Sequence, residues 1–163
     1  MEIRKARQED LQELLDIYNY EVKNGVATFD LEPKTLKQWQ VWFDAHNVDN
    51  HPLYVAQEGK RIAGYVSLSP YREKEAYRTT VELSVYIAPD YRRQGIAAAL
   101  VEFILEEARR DETIHNIVSV ITSGNEASSR LHKKFGFDFC GTIPEVGTKF
   151  GRQLGIDNYS LRV

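Results

Sequence analysis

The sequence predicts an α/β fold, a mixed central β-sheet flanked by helices, on three observations. Residues 79–87 alternate, with Val81, Leu83, Val85 and Ile87 on one side of the chain and Thr80, Glu82, Ser84 and Tyr86 on the other, the period of two that a strand imposes. Leu11, Leu14, Leu15, Tyr18 and Val22 instead recur at the spacing of an amphipathic helix. Between 79–87 and a second apolar run at 116–122 lies a helix-length segment, 96–110, and a crossover of that length implies parallel neighbours in a right-handed connection. With 163 residues, 42% of them hydrophobic, the chain can bury one good core and is too short for two ordinary domains, so residues 1–163 are expected to form a single domain.

In chain order, a short strand at 3–6 precedes the first helix, which Asn24-Gly25 ends. A loop carrying Phe29 leads to Pro33 and then to Thr35-x-x-Gln38, the form of a capping box, for a second helix bearing Leu36, Trp39, Trp42 and Phe43. Runs 53–57 and 61–68 flank Glu58-Gly59-Lys60 and read as a hairpin turned at Gly59. The crossover follows, its helix carrying Ile96, Leu100, Phe103 and Ile104 on one side. Asn125 is a natural N-cap for a helix containing Ala127, Leu131 and Phe135, and strands near 137–142 and 154–162 complete the sheet. No repeat, linker or low-complexity segment divides the chain.

Composition excludes several function classes. A formal charge of −3 argues against broad nucleic-acid binding while leaving room for a local basic pocket. Cys140 is the only cysteine, so neither a disulfide framework nor a multi-cysteine metal site can be built. Beside Phe137 and Phe139 it reads as a small core or strand residue rather than a nucleophile. His46, His51 and His115 lack metal-ligand spacing, and no metal is expected. The first residues form no apolar signal region and no run of about twenty apolar residues occurs, so the expectation is a cytoplasmic protein with no membrane partner.

The most informative stretch is 81–100, where the 79–87 strand meets the basic turn Tyr91-Arg92-Arg93-Gln94-Gly95 that leads directly into a helix. A helix N-terminus leaves backbone N–H groups without intrahelical partners and carries partial positive charge, so an anionic cofactor can sit there with Arg92 and Arg93 beside it. Gly95 lets the backbone approach closely. The Gly-Lys-Ser/Thr of a P-loop and the three glycines of a dinucleotide loop are both missing.

What the turn does spell, Arg92-x-x-Gly95-x-Ala97, resembles the acetyl-coenzyme A loop of the GNAT superfamily of N-acetyltransferases. Residues 123–137, with Asn125 opening a helix that ends in Gly136-Phe137, resemble a second segment of that superfamily in the expected order. More narrowly, Glu82-Leu83-Ser84-Val85-Tyr86-Ile87, Asn125-Glu126-Ala127-Ser128-x-x-Leu131-His132 and Glu145-Val146-Gly147-Thr148-Lys149-Phe150-Gly151-Arg152 are similar to the phosphinothricin and methionine sulfone acetyltransferase branch. The resemblance runs through nearly the whole chain. It implies the GNAT fold, in which the two parallel strands splay apart around the pantetheine arm, with acetyl-CoA as cosubstrate.

Acetyl transfer to an amine needs a held thioester, an unprotonated nucleophile and donors for the developing oxyanion. The backbone of Val85, Tyr86 and Ile87 is expected to bind pantetheine, and Arg92, Arg93, Gln94, Gly95, Ile96, Ala97 and Ala98 to surround the pyrophosphate, with Asn125 contacting the cofactor as well as capping its helix. Glu82 is the sharpest catalytic candidate, either as the base that deprotonates the substrate ammonium or as its ligand. His132 stands where many GNAT enzymes carry a tyrosine held to protonate the leaving thiolate, and is a weaker candidate for that task. For a small zwitterionic acceptor, Arg72 and Lys74 would pair with a carboxylate or phosphinate, Glu82 would face the ammonium, and Phe29, Tyr77 and Tyr86 would supply walls. Gln153 and Gly155 depart from the Trp and Asp that commonly follow Lys-Phe-Gly-Arg in the branch, a region near its dimer interface, and a homodimer is expected. The alternatives are acetylation of a peptide or protein N-terminus and a non-catalytic acetyl-CoA-binding module.

Overall fold

The computed structural model describes residues Met1–Val163. Its seven strands are β1 (Glu2–Lys5), β2 (Leu53–Glu58), β3 (Arg61–Pro70), β4 (Thr80–Ile87), β5 (Asn116–Thr122), β6 (Asp138–Lys149) and β7 (Arg152–Arg162). Four helices accompany them: α1 (Leu11–Asn24), α2 (Leu36–Asp44), α3 (Ile96–Arg110) and α4 (Glu126–Lys134). All strands join one mixed sheet in the order β1-β2-β3-β4-β5-β7-β6.

The sole parallel pair, β4 with β5, is the one spanned by the α3 crossover. Its ladder is short: Thr80, Glu82 and the residue between them pair with 116–118 and pairing then stops. Beyond Glu82, β4 continues to pair with β3 on one side, while 119–122 of β5 pair only with β7. The two strands therefore diverge from Glu82 onward, leaving a gap in the middle of the sheet edged by unpaired backbone.

Helices cover both faces. Leu14, Tyr18, Val22 and Trp39 of α1 and α2 pack with Val55 and Tyr65 on one face of the sheet. Ile96, Leu100, Val101, Ile104, Leu105 and Ala108 form the buried stripe of α3 and pack with Val81, Leu83 and Ile117 on the other, each fully buried Leu or Ile contributing roughly 1.5–3 kcal/mol. The alternation of β4 thus sends Val81 and Leu83 into the α3 side and leaves Glu82, Ser84 and Tyr86 for the α1–α2 side.

Of the four apolar residues singled out in α2, Trp39 is buried, Trp42 and Phe43 pack partly buried against the same cluster, and Leu36 is exposed. Two sequence expectations need correction. The strand expected near 137–142 runs on to Lys149, because Pro144, Glu145 and Val146 form a bulge opposite Gly155 instead of ending it: the register jumps between Ile143 and Gly147, and Glu145 has φ +54°. Cys140 lies in that strand but is exposed rather than in the core, since β6 is the sheet's edge; its Sγ is 3.2 Å from Ser160 Oγ.

Candidate active site

The gap between β4 and β5 is flanked by two concavities. A groove of about 790 Å³ is lined by Val85, Tyr86 and Ile87, by the 91–98 turn and start of α3, and by residues of the 122–131 segment. A cavity of about 690 Å³ on the α1–α2 side is lined by the 27–30 loop, by Trp39 and Trp42 of α2 and by inward residues of β3, β4 and β5. The two share Ala27, Tyr86 and Thr122, so they meet at the gap.

The groove is built from backbone. Gly95 is the N-cap of α3 at φ +77°, a left-handed conformation that L-residues reach only with strain, and it offers no capping side chain. The first N–H groups of α3 therefore have no side-chain acceptor, and Ala97 and Ala98 leave space in front of them. Arg93, also left-handed at φ +62°, lines the groove. Arg92 lines it too, with its guanidinium paired to the Glu21 carboxylate and set over the Tyr20 ring at 5.5 Å, which ties the turn to the end of α1. Asn125 caps α4 by accepting the Ser128 N–H at 3.1 Å, and it lines the groove as well. Anion-seeking amides, small side chains and an unpaired strand edge suit the pyrophosphate and pantetheine of a coenzyme A thioester.

The cavity is built from side chains placed by strand register. Three consecutive inward cross-strand pairs, Ser69 with Glu82, Ser67 with Ser84 and Tyr65 with Tyr86, form its β3–β4 wall. Glu82 occupies the last β4 position that pairs with β5, and burial alone pushes its carboxyl above the usual carboxylate range. Burial likewise raises the Tyr86 and Tyr65 hydroxyls, which stay neutral. Trp39 and Trp42 stack at 4.2 Å and 12°, and Tyr18 stacks on Trp39 at 4.5 Å, giving an aromatic wall. The Tyr18 hydroxyl bonds Asp30 and lies 2.9 Å from Thr28 Oγ1.

The loop bearing Phe29 is fastened from both sides. Thr122 Oγ1 donates to the Val26 carbonyl at 2.5 Å, and the buried Lys149 ammonium donates to the Thr28 carbonyl at 2.8 Å and the Glu21 carbonyl at 3.5 Å. Burial lowers the pKa of Lys149. Phe29 rests against Gly147, where a Cβ would lie 2.5 Å from its ring.

Of the residues singled out in the sequence, the structure brings Val85, Tyr86, Ile87, Arg92, Arg93, Gly95, Ile96, Ala97, Ala98 and Asn125 to the groove and Phe29, Glu82 and Tyr86 to the cavity. Gln94 does not line the groove; its Nε2 reaches back to the Asp90 carbonyl at 3.4 Å. Nor do Arg72, Lys74 and Tyr77 line the cavity: they belong to the exposed loop after β3, where the Arg72 guanidinium lies over the Tyr71 and Tyr77 rings at 5.0 and 5.8 Å. His132 is 3% exposed and lines neither site, its Nδ1 within 2.7 Å of the Ser128 carbonyl and its ring against Phe137 and Tyr159. Its Nε2 is buried without a hydrogen-bond partner.

Sequence reasoning did not find Tyr18, Asp30, Lys34, Ser67 and Ser69 for the cavity, nor the loop anchor Lys149. The 65–69 alternation was the available signal, because the hairpin register carries it onto the same face as Glu82. Gly64 was also missed: a Cβ there would lie 2.8 Å from the Tyr86 carbonyl oxygen, so its absence lets β3 approach the very stretch of β4 that edges the groove.

Residues 10–137 match the family model described as Acetyltransferase (GNAT) family. The chain is 42% identical to the phosphinothricin N-acetyltransferase of Streptomyces coelicolor, over 98% of this chain and 94% of that protein. It is 40% identical to the L-methionine sulfoximine/L-methionine sulfone acetyltransferase of Pseudomonas paraeruginosa, over 94% of this chain and 90% of that one. Among solved structures, a ribosomal-protein-alanine N-acetyltransferase from Brucella melitensis superposes with a TM-score of 0.96 at 37% identity, each chain fully covered. A phosphinothricin acetyltransferase from Sinorhizobium meliloti in complex with AcCoA superposes with a TM-score of 0.94 at 29% identity, covering 99% of this chain and 88% of that one.

Proposed function

Since the chain belongs to the GNAT acetyltransferase family and is an N-acetyltransferase, we propose that it acetylates the primary amine of a small amino-acid analogue of the phosphinothricin, methionine sulfone or methionine sulfoximine type. One observation carries the reading: Glu82, a desolvated carboxylate, stands where the β4–β5 ladder stops, facing a cavity that joins the cofactor groove at Tyr86 and Thr122. The relatives' names support the substrate class, and a cavity of about 690 Å³ is of a size for one small ligand.

Acetyl-CoA supplies the acetyl group as an activated thioester. The α3 amides from Ile96 to Ala98 and Arg93 hold its pyrophosphate, the 85–87 backbone its pantetheine, and Asn125 adds a contact through the amide that its capping bond leaves free. Glu82 takes a proton from the substrate ammonium, directly or through water, so that nitrogen can form the new amide bond as the carbon–sulfur bond breaks; coenzyme A leaves as the thiolate, and the second nitrogen proton passes to it through solvent, giving the free thiol. The raised pKa of Glu82 makes it a stronger base than an exposed carboxylate. A backbone N–H of 85–87 polarises the thioester oxygen, and Phe29, Tyr86 and the tryptophans exclude water from the acceptor.

The experiment is thiol release from acetyl-CoA across a panel of amines. Phosphinothricin, methionine sulfone and methionine sulfoximine are expected to give acetylated product. The second reading is acetylation of a peptide or protein N-terminus, kept because the Brucella structure is named a ribosomal-protein-alanine N-acetyltransferase. Product from peptides alone would overturn the first, and cofactor binding with no product from either would reassign the chain as an acetyl-CoA-binding module.

The proposal extends to a homodimer through β6, supported by the exposed Phe139, Ile143 and Val146 on an unpaired edge strand. Sedimentation of the protein and of an Ile143→Lys, Val146→Lys double variant, expected to be monomeric, checks it. A cytoplasmic location is part of the same reading: the single thiol, Cys140, is exposed and unpaired, and no helix is long and apolar enough to cross a membrane.

A further inference from the structure

The acceptor cavity is unevenly charged. Glu82 stands on its β3–β4 wall, whereas another part of the lining, from the loop after α1 to the first turn of α2, carries Asp30, Lys34 and Gln38. Lys34 is the only basic side chain in the lining, and the cations of the loop after β3 are outside it. A zwitterion whose ammonium is taken by Glu82 must place its oxygens somewhere in the same space, and the lining offers one cation to meet them.

The donors there are held in place and not consumed. Asn19 grips the Lys34 backbone at both ends, accepting its N–H at 2.9 Å and donating to its carbonyl at 3.0 Å, so the side chain starts from a fixed point. The ammonium stands 3.7 Å from Asp30 Oδ1, longer than the roughly 2.7–2.9 Å of a charge-assisted hydrogen bond. Asp30 is engaged by Tyr18 through its other oxygen. The pair therefore aligns the ammonium without using up its three donors. One turn along, Gln38 spends its Oε1 on the Thr35 N–H at 2.8 Å in the capping box, which leaves its Nε2 to donate.

We propose that Lys34, with Gln38 Nε2 of the same cavity lining, receives the acceptor oxygens of the substrate and so sets its orientation and selectivity. The inference rests on the acetyl-transfer reading above and adds to it the group that discriminates among amines. The oxygens share one chemistry, a compact cluster of strong acceptors, and come from either of two sources: the α-carboxylate, or the sulfone, sulfoximine or phosphinate of the side chain. A donor site of this kind rejects an analogue that lacks the oxygens, because the donors are then left without a partner.

Lys34→Met keeps the stem and removes the charge; Lys34→Arg restores it. Both are compared with the wild type on methionine sulfone, its carboxamide and methionine, by steady-state kinetics and by calorimetric binding of methionine sulfone without acetyl-CoA. Lys34→Met is expected to raise the KM for methionine sulfone, and weaken its calorimetric affinity, about tenfold with little change in kcat, and Lys34→Arg to recover most of the loss. If the penalty vanishes for the carboxamide, the oxygens are those of the carboxylate; if it vanishes for methionine, they are those of the sulfone. An equal penalty on all three acceptors, no penalty on any, or an acceptor-specific penalty in Arg72→Gln in place of Lys34→Met overturns the assignment. Should the wild type acetylate none of them, the reaction reading fails on its own, and the calorimetric comparison still decides whether Lys34 holds the oxygens.

Discussion

The groove and the cavity meet at Tyr86, yet they are made in opposite ways. The groove is lined chiefly by two continuous stretches, 85–98 and 122–131, where a helix start and a strand edge expose N–H and C=O groups that suit phosphate and amide. The cavity gathers side chains from α1, the 27–30 loop, α2, three neighbouring strands and Ile156 of β7. A backbone site tolerates many side chains provided the backbone keeps its path, whereas a side-chain site is only as specific as the groups it presents. On the proposed reaction, the cofactor half would thus be set by backbone geometry, and the acceptor half by side chains that can change one at a time.

The largest effect should come from Glu82, the half-buried carboxylate on the cavity's β3–β4 wall. Glu82→Gln keeps the shape and cannot take a proton, so turnover is expected to fall about 10²-fold or more while calorimetric affinity for acetyl-CoA stays as in the wild type. Because burial raises the Glu82 pKa, the acid limb of the wild-type pH–rate profile should lie above the range of an exposed carboxylate and disappear in the variant. Raising the pH should partly rescue Glu82→Gln by delivering more free amine. A loss confined to KM would make Glu82 an ammonium ligand instead of a base, and wild-type turnover with chemistry rate-limiting would remove it from the reaction.

The complementary break is Gly95→Val. Nothing in the protein crowds a Cβ at Gly95, so steric overlap is not the obstacle; the obstacle is φ +77°, which a β-branched residue adopts only at a cost of about 1–2 kcal/mol or more. If the turn keeps its path the fold is strained, and if it relaxes the α3 amides turn away from the pyrophosphate. Acetyl-CoA affinity should drop about tenfold with the acceptor KM little changed, the mirror image of the Lys34 variants. Unchanged cofactor affinity in folded Gly95→Val would sink the assignment of this turn to the pyrophosphate.

A smaller effect separates loop placement from chemistry. Gly147→Ala puts a methyl group into the Phe29 ring, and since Lys149 and Thr122 fasten the loop's main chain, the ring must swing while the loop stays. The acceptor KM is expected to change about threefold with acetyl-CoA affinity constant, a shift of under 1 kcal/mol. A change in cofactor affinity of the same size would mean that the two sites are coupled through this loop.

The same contrast explains what could be read in advance. The limits of α3 and β5 follow from periodicity and a bounding Gly or Asn, and the Thr35 capping box forms as its spacing requires, Thr35 Oγ1 accepting the Gln38 N–H at 3.2 Å. The 85–98 stretch was legible because a backbone site lies in consecutive residues. The cavity was not, because Ser69 and Glu82 become neighbours only through the β3–β4 register, and Tyr18 and Asp30 only through packing of α1 on the sheet. The loop after β3 shows the same limit: Arg72 and Lys74 have the right chemistry near the right strand, but local sequence does not say that they stand outside the cavity lining or that Arg72 stacks on its own loop's tyrosines. His132 has a reactive side chain at a motif position, and only the packing of α4 on Phe137 and Tyr159 shows it buried.

The smallest expected effect tests the energetic difference between the two constructions. The groove pairs the Glu21 carboxylate with the Arg92 guanidinium, whereas the cavity holds, in Glu82, a carboxylate that no cation pairs and whose charged form burial disfavours. Below the ordinary carboxylate range Glu82 is protonated in both the folded and unfolded chain and does not bias folding. As the pH rises, the unfolded chain loses this proton first; the folded state then binds more protons than the unfolded one, and stability falls until the pH passes the raised folded-state pKa. Glu82→Gln has no such window. It should therefore match the wild type in denaturant midpoint under acid conditions and be the more stable of the two at neutral pH, so that the residue whose loss costs most turnover is one whose loss strengthens the fold. A variant equal to or weaker than the wild type at neutral pH, with the acid comparison unchanged, would show that Glu82 gains a compensating partner in the folded cavity.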